Sequence, residues 1–278
     1  MSSAADHVNT RESRAPSVPK GEGWAERILY RMLRWSSWNA YHLAFGLQRV
    51  EMSSASGWEN EADAFGTRPR IYVCWHARIL GAIAIRERCG TLHALSMPHR
   101  GWGDEGVALR ALRRSFFDNL KRKGIRFIEL RRGEPRAETV RRLVAHLEMG
   151  HDILMTADSA RSGAFIAKLG AIQAAAEAGV ELVPFSFSSS RKIRFNPLWD
   201  NFMVPVPFGR YIIRLGEPMV IKKDMDGEEL EAMRQELASR LNALTHIADD
   251  LAGIRREYRL LPPGTTLQTR TAEQREAA

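Results

Sequence analysis

The sequence predicts an α/β fold in which a largely parallel central sheet is flanked by helices, preceded by an N-terminal amphipathic helix. Between about residues 70 and 190, short apolar runs alternate with longer amphipathic segments. Such alternation is typical of βαβ units, whose strands pair in parallel. The chain has 278 residues, of which 44% are hydrophobic, enough to bury one full core. We therefore expect one globular domain with polar tails.

The elements of this domain follow from apolar periodicity and from turn residues between the periodic segments. The predicted strands are Arg70–Trp75, Thr91–Met97, Ile125–Leu130, His151–Thr156, Glu181–Ser188, Arg210–Leu215 and Met219–Ile221. The predicted helices are His76–Glu87, Glu105–Lys123, Pro135–Glu148 and Ile166–Ala178, with Gly179 as C-cap, and a last helix that begins at Asp226.

The ends of the chain differ in composition from this core. Residues 1–23 are polar and predict a disordered tail, and residues 251–278 predict a polar C-terminal tail. Residues 52–70 are rich in turn residues and predict a linker into the core, so the domain proper spans about residues 51–250.

Residues 24–50 are expected to form an amphipathic helix. Trp24, Ile28, Met32 and Trp35 share one helical face, and Arg27, Arg31 and Arg34 gather beside it. Arginine next to tryptophan favours an interfacial membrane anchor, and a helix packed across the domain is the alternative. Both interpretations hold for a helix with two apolar sides.

Charge and cysteine content restrict the class of protein. A net charge of +8 indicates an acidic partner, such as anionic lipid, nucleic acid or a phosphorylated substrate. No RRM, helix-turn-helix or zinc-finger pattern is present, so we expect no nucleic acid partner and no metal. Cys74 and Cys89 do not suggest a disulfide framework, and no apolar run predicts a spanning helix or a signal peptide.

His76 is the strongest candidate for chemistry. It follows the apolar run Ile71–Trp75 directly and precedes a predicted helix, at the strand edge where open α/β sheets place their ligands. A histidine is a fitting general base, and a helix N-terminus supplies N–H groups that favour an oxyanion or a phosphate. Asp158 and Arg161 follow a later strand and are expected at the same edge.

Residues from about Arg70 to Asp249, about two thirds of the chain, carry an ordered series of motifs. The series is Trp75-His76, the turn from Ser96 to Gly106, Thr156-Ala-Asp-Ser-Ala-Arg-Ser-Gly163, Leu182-Val-Pro184, Pro205-Val-Pro-Phe208 and Arg214-Leu-Gly-Glu-Pro218. In this order the chain resembles the DUF374 branch of the lysophospholipid acyltransferase superfamily, which is related to PlsC-type and lipid A acyltransferases. The resemblance implies a glycerolipid acyltransferase-like fold.

It also implies transfer of a fatty acyl group from acyl-CoA or acyl-ACP, as co-substrate and without another cofactor, to a lysophospholipid-like or glycolipid acceptor. The expected place is the cytoplasmic face of the inner membrane, where the chain would bind an anionic surface peripherally. Two positions depart from the family pattern: Gly81 stands where PlsC-type enzymes carry an aspartate, and Ser159-Ala160 replaces Gly-Pro. The alternative is therefore a catalytically weakened relative that binds lipid or acyl carrier without turnover.

The predicted site has catalytic and binding parts. Asp104, Glu105 and Asp158 are the acidic candidates for orienting the His76 imidazole, and Asp104 could equally be the N-cap of the following helix. Arg161 is the expected phosphate ligand, with Ser159 and Ser162 as hydroxyl donors; a loop ion pair with Asp158 is the alternative. Arg78, one turn from His76, and Arg131, after a strand, complete the predicted substrate-binding set.

Overall fold

The computed structural model describes residues 28, 30–32, 35–36, 39, 46–54, 65, 68–89, 91–96, 107–131, 133–195 and 199–254. Their strands are β1 Arg49–Ser54, β2 Ile71–Cys74, β3 Leu92–Ser96, β4 Ile125–Glu129, β5 Asp152–Thr156, β6 Glu181–Ser189, β7 Lys192–Phe195, β8 Phe202–Pro205, β9 Arg210–Leu215 and β10 Met219–Val220. Their helices are a 3-10 helix at His76–Gly81, then α1 Ala82–Arg86, α2 Val107–Arg122, α3 Arg136–Glu148, α4 Gly170–Ala178 and α5 Gly227–Leu251.

Within the described residues, the main sheet has eight strands in the order β1-β9-β6-β2-β5-β3-β4, with β10 beside β6. Strands β6, β2, β5, β3 and β4 pair in parallel, and β9 and β10 lie antiparallel to β6. The prediction of an α/β fold with a mostly parallel sheet and flanking helices is confirmed.

The sheet is covered on both faces, which explains why β2 is apolar throughout. All four of its residues are fully buried. Ile71 and Val73 point into one apolar cluster, together with α3, α4 and α5, while Tyr72 and Cys74 point into the other. A strand buried on both faces has no polar positions, as is usual in parallel sheets.

Local signals placed several helix ends correctly. Asp226 caps α5: its carboxylate accepts a hydrogen bond from the Glu229 backbone N–H, and the Glu229 side chain accepts one from the Asp226 N–H. This reciprocal pair is a capping box. Gly179 follows α4 with φ of 63°, a left-handed conformation that glycine adopts without strain.

Two segments of the chain were predicted wrongly. Residues 49–54 were divided between the N-terminal helix and a linker, but they form β1, which pairs in parallel with β9 at the edge of the sheet. Residues 192–205 contain the hairpin of β7 and β8, which the sequence did not reveal. The stretch after β2 also begins as a 3-10 helix before the short α1.

Only part of the predicted N-terminal helix lies within the described residues. Tyr30 is buried, its hydroxyl donates a hydrogen bond to Asp118 of α2, and its ring lies under the Arg114 guanidinium. Ile28, Met32 and Trp35 are 49%, 64% and 72% exposed. Of the residues that can be described, none belongs to a helix with the length and apolarity needed to cross a membrane.

Candidate functional site

His76 lies just beyond the carboxyl end of β2, as predicted. The neighbours of β2 in the sheet are β5 and β6, and both run parallel to it. Side chains that follow β2 and β5 therefore meet at one edge of the sheet, where α/β proteins commonly bind ligands. The His76 side chain is 32% exposed, so it is reachable from solvent while most of its surface is packed.

The imidazole of His76 is paired with Asp200, which no sequence argument selected. Nδ1 of His76 lies 2.6 Å from Oδ2 of Asp200, whose side chain is 0% exposed. The other carboxylate oxygen, Oδ1, is buried and accepts no hydrogen bond from the described residues. Burial of a charged carboxylate costs free energy. A buried carboxylate whose partner among the described residues is a histidine is therefore typical of a functional site.

This pairing sets the chemistry of the ring. As a carboxylate, Asp200 can only accept a hydrogen bond, so Nδ1 carries the proton and the lone pair resides on Nε2. The rings of Trp199 and Phe202 lie 5.2 and 5.4 Å from the imidazole centroid and restrict its rotation. The arrangement is that of a general base whose tautomer and orientation are fixed.

Gly81 is buried at the end of the 3-10 helix that begins with His76. A Cβ added here would lie 2.8 Å from Cβ of Phe187 and 3.1 Å from Cε2 of Phe185. The closest atom is fixed to the backbone of β6, so any side chain at this position would force the surrounding structure to shift. In this chain Asp200, in the turn between β7 and β8, supplies the partner of His76.

Asp158 lies next to His76 but does not orient its ring. Its Oδ1 accepts a hydrogen bond of 2.7 Å from the His76 backbone N–H, and its Oδ2 accepts one of 2.9 Å from the Phe165 N–H. Burial raises the pKa of Asp158 to about 6, although these two donors act in the opposite direction. The predicted catalytic role is corrected: this carboxylate holds the backbone at the start of the 3-10 helix.

Arg78 is also a structural residue, in contrast to its predicted role in substrate binding. Its guanidinium is buried and donates two hydrogen bonds of 2.9 Å to the carboxylate of Asp249 on α5. It also donates to the backbone carbonyl of Phe187, and Asp249 accepts a further bond from Ser188. A bidentate, fully paired arginine is not available to a substrate. It fastens the helix of His76 to β6 and α5.

Trp75 fixes the chain directly before His76. Its indole is fully buried, donates a hydrogen bond of 3.2 Å to the Asn242 side chain and packs edge-on against Phe165 at 5.6 Å. Trp75 and Arg78 thus anchor the chain before and after His76. A side chain whose backbone is held on both sides is preorganised, so little reorganisation is needed when it binds a ligand.

The turn from Ser159 to Gly163 follows Asp158 and presents Arg161 to solvent. The two serines close this turn: the Ser162 hydroxyl accepts from the Ser159 N–H and donates to the Ser159 carbonyl. The ion pair between Arg161 and Asp158 is not formed, since Asp158 binds backbone N–H groups instead. Arg161 remains an exposed residue, three positions after Asp158, whose carboxylate accepts a hydrogen bond from the His76 backbone N–H.

Arg161 belongs to a basic group that includes two residues missed from the sequence. Burial lowers the pKa of Lys168, and the charges of Arg161 and Arg136 lower it further, against an opposite effect of Asp158. Lys168, in the segment before α4, therefore interacts electrostatically with Arg161 of the turn and with Arg136 of α3. We call Arg136, Arg161 and Lys168 the basic cluster. Such a cluster favours an anionic ligand.

The structure does not bring the remaining residues of the predicted site together with His76. Arg131 follows β4, three strands away from β2, which corresponds to a lateral separation of roughly 14 Å. Its side chain is exposed. Asp104 and Glu105 lie outside the described residues, as does most of the turn from Ser96 to Gly106.

One signal could have indicated Asp200. Turn-forming residues, Asn196-Pro197 and Asp200-Asn201, separate the alternating run Lys192–Phe195 from the apolar run Phe202–Val204, which is compatible with a hairpin. Asn201 has φ of 55°, a conformation that asparagine tolerates better than most residues. The sequence alone does not show that this hairpin packs against the 3-10 helix of His76.

Comparison with known proteins adds one relative. No family model matches the chain. An uncharacterized protein from Rickettsia prowazekii is 25% identical over 165 residues, which cover 59% of this chain and 70% of that protein. Its description names no activity.

Proposed function

We propose that this chain is a peripheral membrane acyltransferase of the glycerolipid acyltransferase type, with His76 as general base. It would transfer a fatty acyl group from acyl-CoA or acyl-ACP to the hydroxyl of a lysophospholipid-like or glycolipid acceptor. Asp200 would orient His76 and stabilise the imidazolium that forms when the hydroxyl is deprotonated.

The observation that carries the proposal is the bond of 2.6 Å between Nδ1 of His76 and the buried Asp200. The pair restores, from a different part of the chain, the carboxylate that Gly81 removes from the motif. This favours turnover over the alternative, a relative that only binds lipid. A degenerate site has no requirement for a buried carboxylate directed at the imidazole.

The basic cluster supports an anionic acceptor or donor. A guanidinium offers a planar fork that matches phosphate oxygens, and both phospholipids and CoA carry phosphate. The exposed side chains of Ile28, Met32 and Trp35 support binding to a lipid surface. Because Tyr30 is buried against α2, this segment both packs on the domain and presents apolar side chains to solvent.

The direct experiment is an acyl transfer assay with the full-length protein, acyl-CoA or acyl-ACP, and a panel of lysophospholipid and glycolipid acceptors. Products are identified by mass spectrometry. His76→Ala should lower kcat/KM by about 10²–10⁴-fold, the usual contribution of a general base. Asp200→Asn should lower it within the same range, because the amide can hold the imidazole in the wrong tautomer.

His246→Gln is the matched control, since His246 is a half-buried histidine on α5 outside the site. It should retain wild-type turnover. Near-wild-type turnover in folded His76→Ala would contradict the proposal. Tight binding of an acyl donor or lipid without any product, across the whole panel, would support the binding protein instead.

Arg161 provides a second test of the same proposal. Arg161→Lys keeps the charge but loses the fork, so KM for the phosphate-bearing substrate should rise, and Arg161→Ala should raise it further. If both variants kept the wild-type KM and kcat, the basic cluster would have no part in substrate binding.

A further inference from the structure

Three histidines meet at the opposite end of the sheet from His76. His93 is the second residue of β3, His151 directly precedes β5, and His146 lies in the last turn of α3. One ring nitrogen from each lies within 4.8 Å of the others, and Nδ1 of His146 is 3.4 Å from Nδ1 of His151. We call these residues the histidine cluster.

The cluster is distinct from the proposed active site. His93 is level with Ile153 and Ile71 in the sheet, and His76 follows Ile71 by five residues. At the usual rise of a strand, this corresponds to a separation of about 16 Å along the strand direction. No step of acyl transfer at His76 uses these residues.

We propose that the histidine cluster is a binding site for a divalent transition metal ion of the zinc class. A tetrahedral ion bound at about 2.0–2.1 Å by imidazole nitrogens separates those nitrogens by about 3.4 Å. The two Nδ1 atoms of His146 and His151 already lie at this distance, where they form a hydrogen bond that a bound ion would replace. The widest separation of 4.8 Å exceeds this value by about 1.4 Å, and the rings of His93 and His151 are stacked with centroids 4.3 Å apart. Binding an ion therefore requires these rings to turn as well as to move closer.

The polar atoms of the cluster support a ligand. His93 is buried, and its Nδ1 accepts or donates no hydrogen bond among the described residues. Burial lowers the pKa of His93 to about 4, assisted by the charges of His151, His146 and Arg126.

The charges around the histidine cluster have opposing effects on the binding of a cation. Arg142 interacts with His146 and Arg126 with His93, and both disfavour a cation. Asp152 directly follows His151 and interacts with it electrostatically. Three imidazoles suit zinc, cobalt, nickel and copper, whereas magnesium and calcium require oxygen ligands. The bound ion would connect β3, β5 and α3, so its role would be structural.

The test uses the untagged full-length protein after dialysis against a chelator. Co²⁺ is titrated and followed by its visible absorption, which is intense in four-coordinate sites, and Zn²⁺ is followed by competition and by thermal unfolding. We expect one ion per chain and, at zinc about 100-fold above Kd, a rise in Tm of about 5–10 °C. Magnesium and calcium should leave Tm unchanged.

The variant His146→Gln/His151→Gln removes two half-buried ligands and keeps the buried His93. It should lose the cobalt bands and the Tm shift, while His246→Gln keeps both. The proposal is overturned if the wild-type protein shows no saturable binding below about 1 mM, or if the double variant binds as the wild type does. If the double variant does not fold, His151→Gln alone must weaken cobalt binding at least tenfold.

Discussion

Substitution of Gly81 by alanine tests the packing argument on which the position of the carboxylate depends. The new Cβ would lie 2.8 Å from Cβ of Phe187, an atom attached to the β6 backbone, and both Phe185 and Phe187 are fully buried. Overpacking of this kind costs about 1–3 kcal/mol, and a contact with an immobile atom belongs at the upper end. The higher helix propensity of alanine over glycine offsets at most about 1 kcal/mol of this cost in a helical turn. We therefore expect Gly81→Ala to lose about 2 kcal/mol.

Gly170→Ala is the matched control. Gly170 begins α4, and a Cβ there would meet only Cε of Met155, at an ordinary 3.8 Å. This variant should be neutral or more stable by up to about 1 kcal/mol. The two variants should differ in Tm by about 5–10 °C when unfolding is followed by circular dichroism.

Gly81→Asp should be less stable than Gly81→Ala, because it buries a carboxylate against two phenylalanine rings. The reasoning is refuted if Gly81→Ala unfolds at or above the wild-type temperature, or if the two alanine variants shift Tm equally.

Three further predictions concern the supports of the site and the surface. Asp249→Asn leaves the buried Arg78 without a countercharge and should lower the free energy of unfolding in urea by about 3–5 kcal/mol. A loss under 1 kcal/mol would show that Arg78 does not anchor the 3-10 helix. Asp158 has a folded pKa of about 6 against 3.8 when unfolded, so its stability contribution is present at low pH and lost as the pH rises through 6. The unfolding free energy of wild type relative to Asp158→Asn should therefore fall by about 2 kcal/mol between pH 4 and pH 7, and a flat difference would contradict the pKa. Met32→Ala/Trp35→Ala should reduce co-sedimentation with anionic vesicles, and equal loss in the exposed control Val220→Ala would show that the effect is not specific to this segment.

The sequence was a good guide to the sheet because its signals are local. Buried parallel strands are continuous apolar runs, and caps such as Asp226 and Gly179 depend on residues within one turn. Strand β1 was missed because its exposed edge position leaves no strong apolar pattern in Arg49–Ser54. Its pairing with β9 depends on residues about 160 positions away.

The site was predicted in part for the same reason. His76 was identified by its position after a strand, and Asp158 was correctly placed at the same edge. The roles of Asp158 and Arg78 were predicted wrongly because each depends on a tertiary partner, a backbone N–H in one case and Asp249 in the other. Asp200 could not be linked to His76 without the docking of the β7–β8 hairpin.

That docking makes the His76–Asp200 pair sensitive to local unfolding. The two residues are 124 positions apart, and Asp200 is carried by a hairpin with strands of four residues, which is only marginally stable by itself. Detachment of the hairpin would separate the pair while the main sheet remained folded. Heating or mild denaturant should therefore abolish the proposed acyl transfer before global unfolding. Amide exchange in residues 192–205 should report the loss ahead of exchange in β2 and β5.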